Sequence, residues 1–73
     1  MPTASAGLTI TVNGDSLSVV AGTTALEVVE SLGLAGRPIA VEVNEVVVPR
    51  ARLAGWRLEE GARLEIVTLV GGG

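Results

Sequence analysis

The chain has no cysteine, histidine, lysine, phenylalanine or tyrosine, and a single tryptophan, in 73 residues. Each absence excludes something. Without cysteine or histidine there is no disulfide framework and none of the usual zinc ligands, although small domains often lean on one or the other. Without histidine the side chain most used for proton transfer near neutral pH is missing. Without cysteine there is no thiol nucleophile and no side chain to hold a persulfide. These gaps argue against a self-contained enzyme. Basic charge is scarce too: five arginines face eight acids, for a net −3, which argues against nucleic-acid binding. No apolar run approaches the ~20 residues needed to span a bilayer. No membrane partner, metal or bound cofactor is therefore expected.

What is present suits one small packed domain. The apolar fraction is 48% and the charged fraction 18%, the balance of a globular chain and not of a disordered one. Met1–Gly7 carries no basic stretch and no apolar core of a secretory signal, so it reads as a short flexible leader and the domain as residues 8–70. A cytoplasmic location is the expectation.

Periodicity supplies the elements. Leu8, Ile10 and Val12 alternate with polar residues, Asn13-Gly14 gives a strong hairpin signal, and Leu17 and Val19 alternate with serines. Strands are predicted at about 8–13 and 16–20. The period then lengthens: Ala25, Leu26, Val28, Val29 and Leu32 share one side of a helix whose start carries a Thr24/Glu27 capping box. Gly33 is placed to end it in a left-handed turn. Ile39, Val41 and Val43 predict a third strand, and Val46-Val47-Val48 a brief fourth, stopped by Pro49. Residues 50–61 read as irregular. The last strand, about 62–70, turns Leu64 and Ile66 to one face and Val67 and Leu69 to the other.

The order is strand-strand-helix-strand-strand-strand, the pattern of an α+β, β-grasp (ubiquitin-like) fold. Such a fold is a five-stranded mixed sheet with one helix on one face. An apolar last strand suits a central position, where both faces are buried. Gly71-Gly72-Gly73 follows it directly. Three glycines are costly to order and slim enough to thread a narrow channel, and extended they reach roughly 10 Å. The tail is therefore predicted to be flexible and reactive, with its chemistry on the Gly73 carboxylate. That group becomes an acyl donor only after activation, and adenylation with ATP by a partner is the natural step.

Three segments carry a family resemblance: the helix entry Ala21–Leu32; the stretch Ala40–Arg50, with Asn44 and Val48-Pro49-Arg50; and Glu60-Gly61 through Gly73. Together they resemble the ThiS family, the ubiquitin-like sulfur carriers of thiamine (thiazole) biosynthesis. Two positions depart from it: Leu53 stands where the family usually has tryptophan, with Trp56 one turn later, and Ala62 follows Gly61 where the family favours aspartate. The resemblance implies a protein cosubstrate and not an enzyme. An E1-like adenylyltransferase would adenylate Gly73 with ATP, a persulfide donor would convert it to a thiocarboxylate, and thiazole synthase would receive the sulfur. Val67 matches a position through which the related molybdopterin carriers contact their adenylating enzyme. Val67 and Leu69 are thus candidate partner contacts if the helix covers Leu64 and Ile66. Arg50 is a third, unless it caps the turn after Pro49. Trp56 reads as a core or loop-anchoring aromatic, and Glu59, Glu60 and Glu65 as a solvated acidic edge. Other readings keep the same fold: a sulfur carrier for molybdopterin, cysteine, tRNA thiolation or a secondary metabolite, a ubiquitin-like modifier, or a non-reactive interaction module.

Overall fold

The computed structural model describes residues 7–69; most of the proposed leader, Val70 and the Gly71-Gly72-Gly73 tail lie outside the described residues. The first hairpin follows from its turn. Asn13 and Gly14 both adopt positive φ, 52° and 89°, the conformation that a two-residue loop between right-twisted strands requires. It joins β1 (Gly7–Val12) to β2 (Asp15–Val20) with Val12 opposite Asp15 and Gly7 opposite Val20. β1 thus begins one residue earlier than the alternation suggested.

The helix α1 (Ala25–Ser31) is only seven residues long, too short to persist alone, so its ends and its packing hold it. The Thr24 hydroxyl accepts from the Glu27 N–H at 3.2 Å, and the Glu27 carboxylate accepts from the Thr24 N–H at 2.9 Å. At the other end Gly33, at φ 74°, donates to the Glu30 carbonyl while the Leu34 N–H reaches back to Val29 at 3.0 Å. That is a Schellman closure, and Leu34 packs against the core beside it. Ala25, Val28 and Val29 are buried against the sheet. Each valine so buried contributes roughly 1.5–3 kcal/mol.

β3 (Ile39–Val43) and β4 (Val46–Val47) form a second hairpin, its two-residue loop placing Asn44 and Glu45 at φ 51° and 71°. The fourth strand is shorter than the three valines suggested. Val48 leaves it, donates its N–H to the Val41 carbonyl at 2.9 Å and turns its side chain into the core. Residues 50–55 are not irregular: Arg50–Gly55 form a 3-10 helix that buries Leu53. After it, the Trp56 carbonyl accepts from the Ala25 N–H at 2.8 Å and the Leu58 N–H donates to Thr23. Half-buried Trp56 ties this segment to the start of α1, as expected of a loop anchor.

β5 (Arg63–Thr68) takes the centre of the mixed sheet, whose order is β2-β1-β5-β3-β4. It runs parallel to β1 and antiparallel to β3. This is the predicted β-grasp architecture. Ile10, Leu64 and Ile66 line the helix side, with Leu64 fully buried. The expectation that both faces of the central strand are buried needs correction. Only the helix side is covered, and Arg63, Glu65 and Val67 lie exposed on the open face. One helix can cover one face of a sheet, and no described element covers the other.

Two turn asparagines pin β5 from opposite sides. Asn44 receives the Arg63 N–H on its side-chain oxygen at 2.9 Å and donates its own N–H to the Arg63 carbonyl at 2.8 Å. Asn13 does more: its side-chain nitrogen donates to the Ile66 carbonyl at 3.0 Å and its oxygen accepts the Ile66 N–H at 2.8 Å. The side-chain amide so replaces one peptide unit of β1 and lengthens the ladder past the hairpin turn. Asn13→Gly keeps the positive φ and removes only this clamp. It is expected to cost about 1–3 kcal/mol, read as a lowered urea midpoint, because both Ile66 groups lose their partner.

Candidate functional site

The site is built where β5 ends, because that strand leads to the glycine tail. β5 is held to its end on the β3 side: the ladder runs to Thr68 opposite Ile39, and the Leu69 N–H then donates to the Pro38 carbonyl at 2.7 Å. The described chain therefore ends on the central strand of the sheet. Gly71, Gly72 and Gly73 themselves fall outside the described residues.

Val67 and Leu69 are 53% and 50% exposed, on the face opposite the buried Leu64 and Ile66. The strand register sets Ala40 beside Val67, Glu42 beside Glu65, and Val47 beside Glu42. Val47 is 65% exposed. The open face thus has two halves. Thr9, Thr11, Ser16 and Ser18 make the β1–β2 half mainly hydroxylic, with exposed Val20 at its far end, while Val47, Val67 and Leu69 make the half near the tail apolar, with Glu42 and Glu65 set among them. A partly exposed apolar area of this kind, edged by charge, has the make-up of a protein-binding surface.

Arg50 is placed beside the same end of the molecule. Its guanidinium donates to the Arg37 carbonyl, while the next carbonyl, that of Pro38, accepts from Leu69. One short loop is so held by Arg50 on one side and by the end of β5 on the other. Arg50 ties a neighbouring loop and does not cap the turn after Pro49, the structural role weighed from sequence. Among the acidic residues, Glu60 is not simply solvated: its carboxylate accepts the Thr9 N–H at 3.0 Å and begins the β1–β5 contact. Arg63 and Glu45 make a surface ion pair at 3.6 Å, both well exposed and therefore weak.

An open cleft lies elsewhere, at the start of α1, and is lined by Thr24, Glu27, Gly55 and Arg57 among others. Two of its polar groups, Thr24 and Glu27, form the capping box. Among the described residues no three or more acidic side chains gather as metal ligands. Among the described residues no helix is long and apolar enough to cross a membrane. The exposed apolar residues Val47, Val67 and Leu69 lie instead on the open face beside the end of β5. Sequence reasoning located Val67 and Leu69 by alternation, but it missed Asn13 and Glu60. Their partners lie 53 and 51 residues away, and no local pattern marks them.

Comparison with known proteins agrees with this geometry. Residues 8–73 match the family model described as the ThiS family. Thiazole synthase of Paramagnetospirillum magneticum is 34% identical over 64 residues, and that of Magnetococcus marinus 38% identical over 64 residues. Each alignment takes in 88% of this chain but only 20% of the relative, so the chain spans about a fifth of the length of these curated proteins. Among solved structures, the thiamine biosynthesis protein ThiS from Geobacter metallireducens superimposes with a TM-score of 0.76 at 26% identity, covering 90% of this chain and all of that one. With the β-grasp topology and a family match that runs through the tail, this chain belongs to the ThiS family.

Proposed function

We propose that this chain is a sulfur carrier for thiazole formation in thiamine biosynthesis, with the Gly73 carboxylate as the group that carries sulfur. The observation that supports it most is the placement of β5. A strand at the centre of the sheet, paired on both sides as far as Ile66 and on the β3 side to Thr68, leads to three glycines, and the half of the open face beside it is apolar. The names of the relatives, thiazole synthase and a thiamine biosynthesis protein, favour thiazole over the other sulfur-accepting pathways.

The proposed cycle needs nothing that the chain lacks. A Gly73 carboxylate oxygen attacks the α-phosphorus of ATP on an E1-like adenylyltransferase, and pyrophosphate leaves. The terminal sulfur of a persulfide donor then attacks the acyl carbon and AMP leaves. A thiol cleaves the resulting acyl disulfide, forming a disulfide and releasing the thiocarboxylate that thiazole synthase consumes. In this cycle ATP belongs to the adenylating partner. The carrier supplies a slim acyl group and a docking surface, with Gly71 and Gly72 as the threading segment. Val67 and Leu69 form the apolar contact, and Arg50 offers a positive charge to an acidic partner surface.

The test is the intact mass of the chain ending at Gly73 after incubation with the cognate adenylating enzyme, ATP and a persulfide donor. The expected result is a gain equal to the difference between sulfur and oxygen, located on the C-terminal peptide. An unchanged mass under conditions where the enzyme turns over its own known carrier would sink the proposal.

A further inference from the structure

The two sides of β5 do not end at the same place. Its odd-numbered residues turn their backbone groups to β3: the Arg63 carbonyl accepts from Asn44, and the Leu69 N–H donates to Pro38. Its even-numbered residues, and Ala62 just before it, turn theirs to β1. The Ala62 and Leu64 carbonyls accept from Thr11 and Asn13 at 2.9 Å, and Ile66 is taken at both groups by the Asn13 side chain. Thr68 is next in that series. Beside it the chain has already turned back at Gly14 into β2, on the far side of β1. Among the described residues no strand runs along this side of Thr68, and the residue is exposed.

The sheet therefore carries an open backbone edge at its centre, beginning where the ladder stops and the tail starts. The strand at that point is held by its β3 side, so the donor and acceptor of Thr68, without a partner among the described residues, are in register for another strand. A second feature adjoins it. Val12, Leu17 and Leu32, with Asn13, Asp15 and Ser16, line an open, mostly apolar cleft of about 220 Å³, and Leu32 is 44% exposed. Asn13 belongs to both the cleft and the end of the ladder.

We infer that Thr68 is a strand-addition site, filled by an extended backbone segment of the adenylating enzyme in line with β1 beyond Asn13. The inference rests on the sulfur-carrier reading, since an enzyme that works on Gly73 has to hold the chain just before it. Main-chain pairing at Thr68 fixes the direction in which the tail leaves, whatever the tail's own sequence. The occupant is a strand bearing an aliphatic residue, because the cleft accepts one side chain from its helix-facing side.

Residue-resolved amide exchange of the chain, alone and saturated with the cognate adenylating enzyme without ATP, provides the test. Expected is a slowing of the Thr68 amide by at least about tenfold on binding. Val67 and Leu69, already bonded within the sheet, are slow in both states. Thr68→Pro removes an N–H that makes no bond among the described residues, so its unfolding midpoint is expected to stay close to the parent. Its affinity for the enzyme falls about tenfold, whereas Thr68→Val, which keeps the N–H, stays within about twofold. Unchanged Thr68 exchange in the complex, or full affinity in Thr68→Pro, overturns the inference. Either result together with a normal mass gain leaves the carrier role standing. A missing mass gain with Thr68 slowed removes the sulfur chemistry and leaves the strand pairing.

Discussion

A chain shortened by Gly72 and Gly73 is expected to unfold at the same temperature as the full chain and to form no thiocarboxylate. The stability half follows from where the fold ends. The last buried side chain is Ile66 and the last ladder bond belongs to Leu69, so removal of two glycines beyond them touches no described contact. Surface changes of this kind stay within about 0.5 kcal/mol, a shift of a few degrees at most in a domain of this size. The chemical half follows from reach. Two residues shorten an extended tail by roughly 7 Å, while an acyl group must stand within about 3–3.5 Å of its attacking partner to react. Glycine at the new end does not restore the distance. The experiment pairs a thermal melt with intact mass after treatment with adenylating enzyme, ATP and persulfide. A normal mass gain in the shortened chain would move the reacting group away from Gly73. Retained biological activity without thiocarboxylate would favour a plain interaction module.

The end of β5 was more legible in the sequence than the means of holding it. Alternation alone separated Leu64 and Ile66 from Val67 and Leu69, because a side-chain period of two has only one register that buries the first pair. Thr24 with Glu27, and Gly33 at the far end, announced a short helix through local chemistry, and the caps formed as read. Asn13-Gly14 announced the first hairpin. The Asn13 side chain is another matter: its turn role is written in its neighbour Gly14, but its bond to Ile66 exists only after β5 has entered the sheet. The same applies to Glu60 on Thr9 and to Arg50 on the Arg37 carbonyl, both reading as surface charges in one dimension. The 3-10 helix at Arg50–Gly55 was hidden for a different reason. Its residues, Arg-Ala-Arg-Leu-Ala-Gly, offer one buried leucine and no periodicity, so its shape is set by Leu53 seeking the core and by Trp56 meeting Ala25. The open face could be read only in part. The sequence showed which residues lie there, but whether anything covers them depends on how many layers the chain can build.

Leu64→Ala is expected to take away most of the stability of the domain, and with it every function that depends on the placement of the tail. Leu64 has no exposed surface, sits on the central strand, and stands opposite Val43 in the ladder with Val12 on the other side. Buried leucine-to-alanine changes cost about 2.7–5 kcal/mol, the larger values where the surroundings cannot collapse into the space. Collapse is hard here, because the strands on both sides of β5 are fixed by backbone ladders and by the Asn13 and Asn44 clamps. A value near 4 kcal/mol is therefore expected. A domain of this length has roughly 4–11 kcal/mol in total, so the variant is left marginal or unfolded. Val67→Ala on the same strand separates the two faces. With Val67 half exposed, its stability cost stays below about 1 kcal/mol, and its effect belongs to partner affinity. Urea unfolding of the two variants side by side reads the contrast. If both fell equally, the open face would be packed in solution, and the apolar surface beside the tail would not be available to a partner.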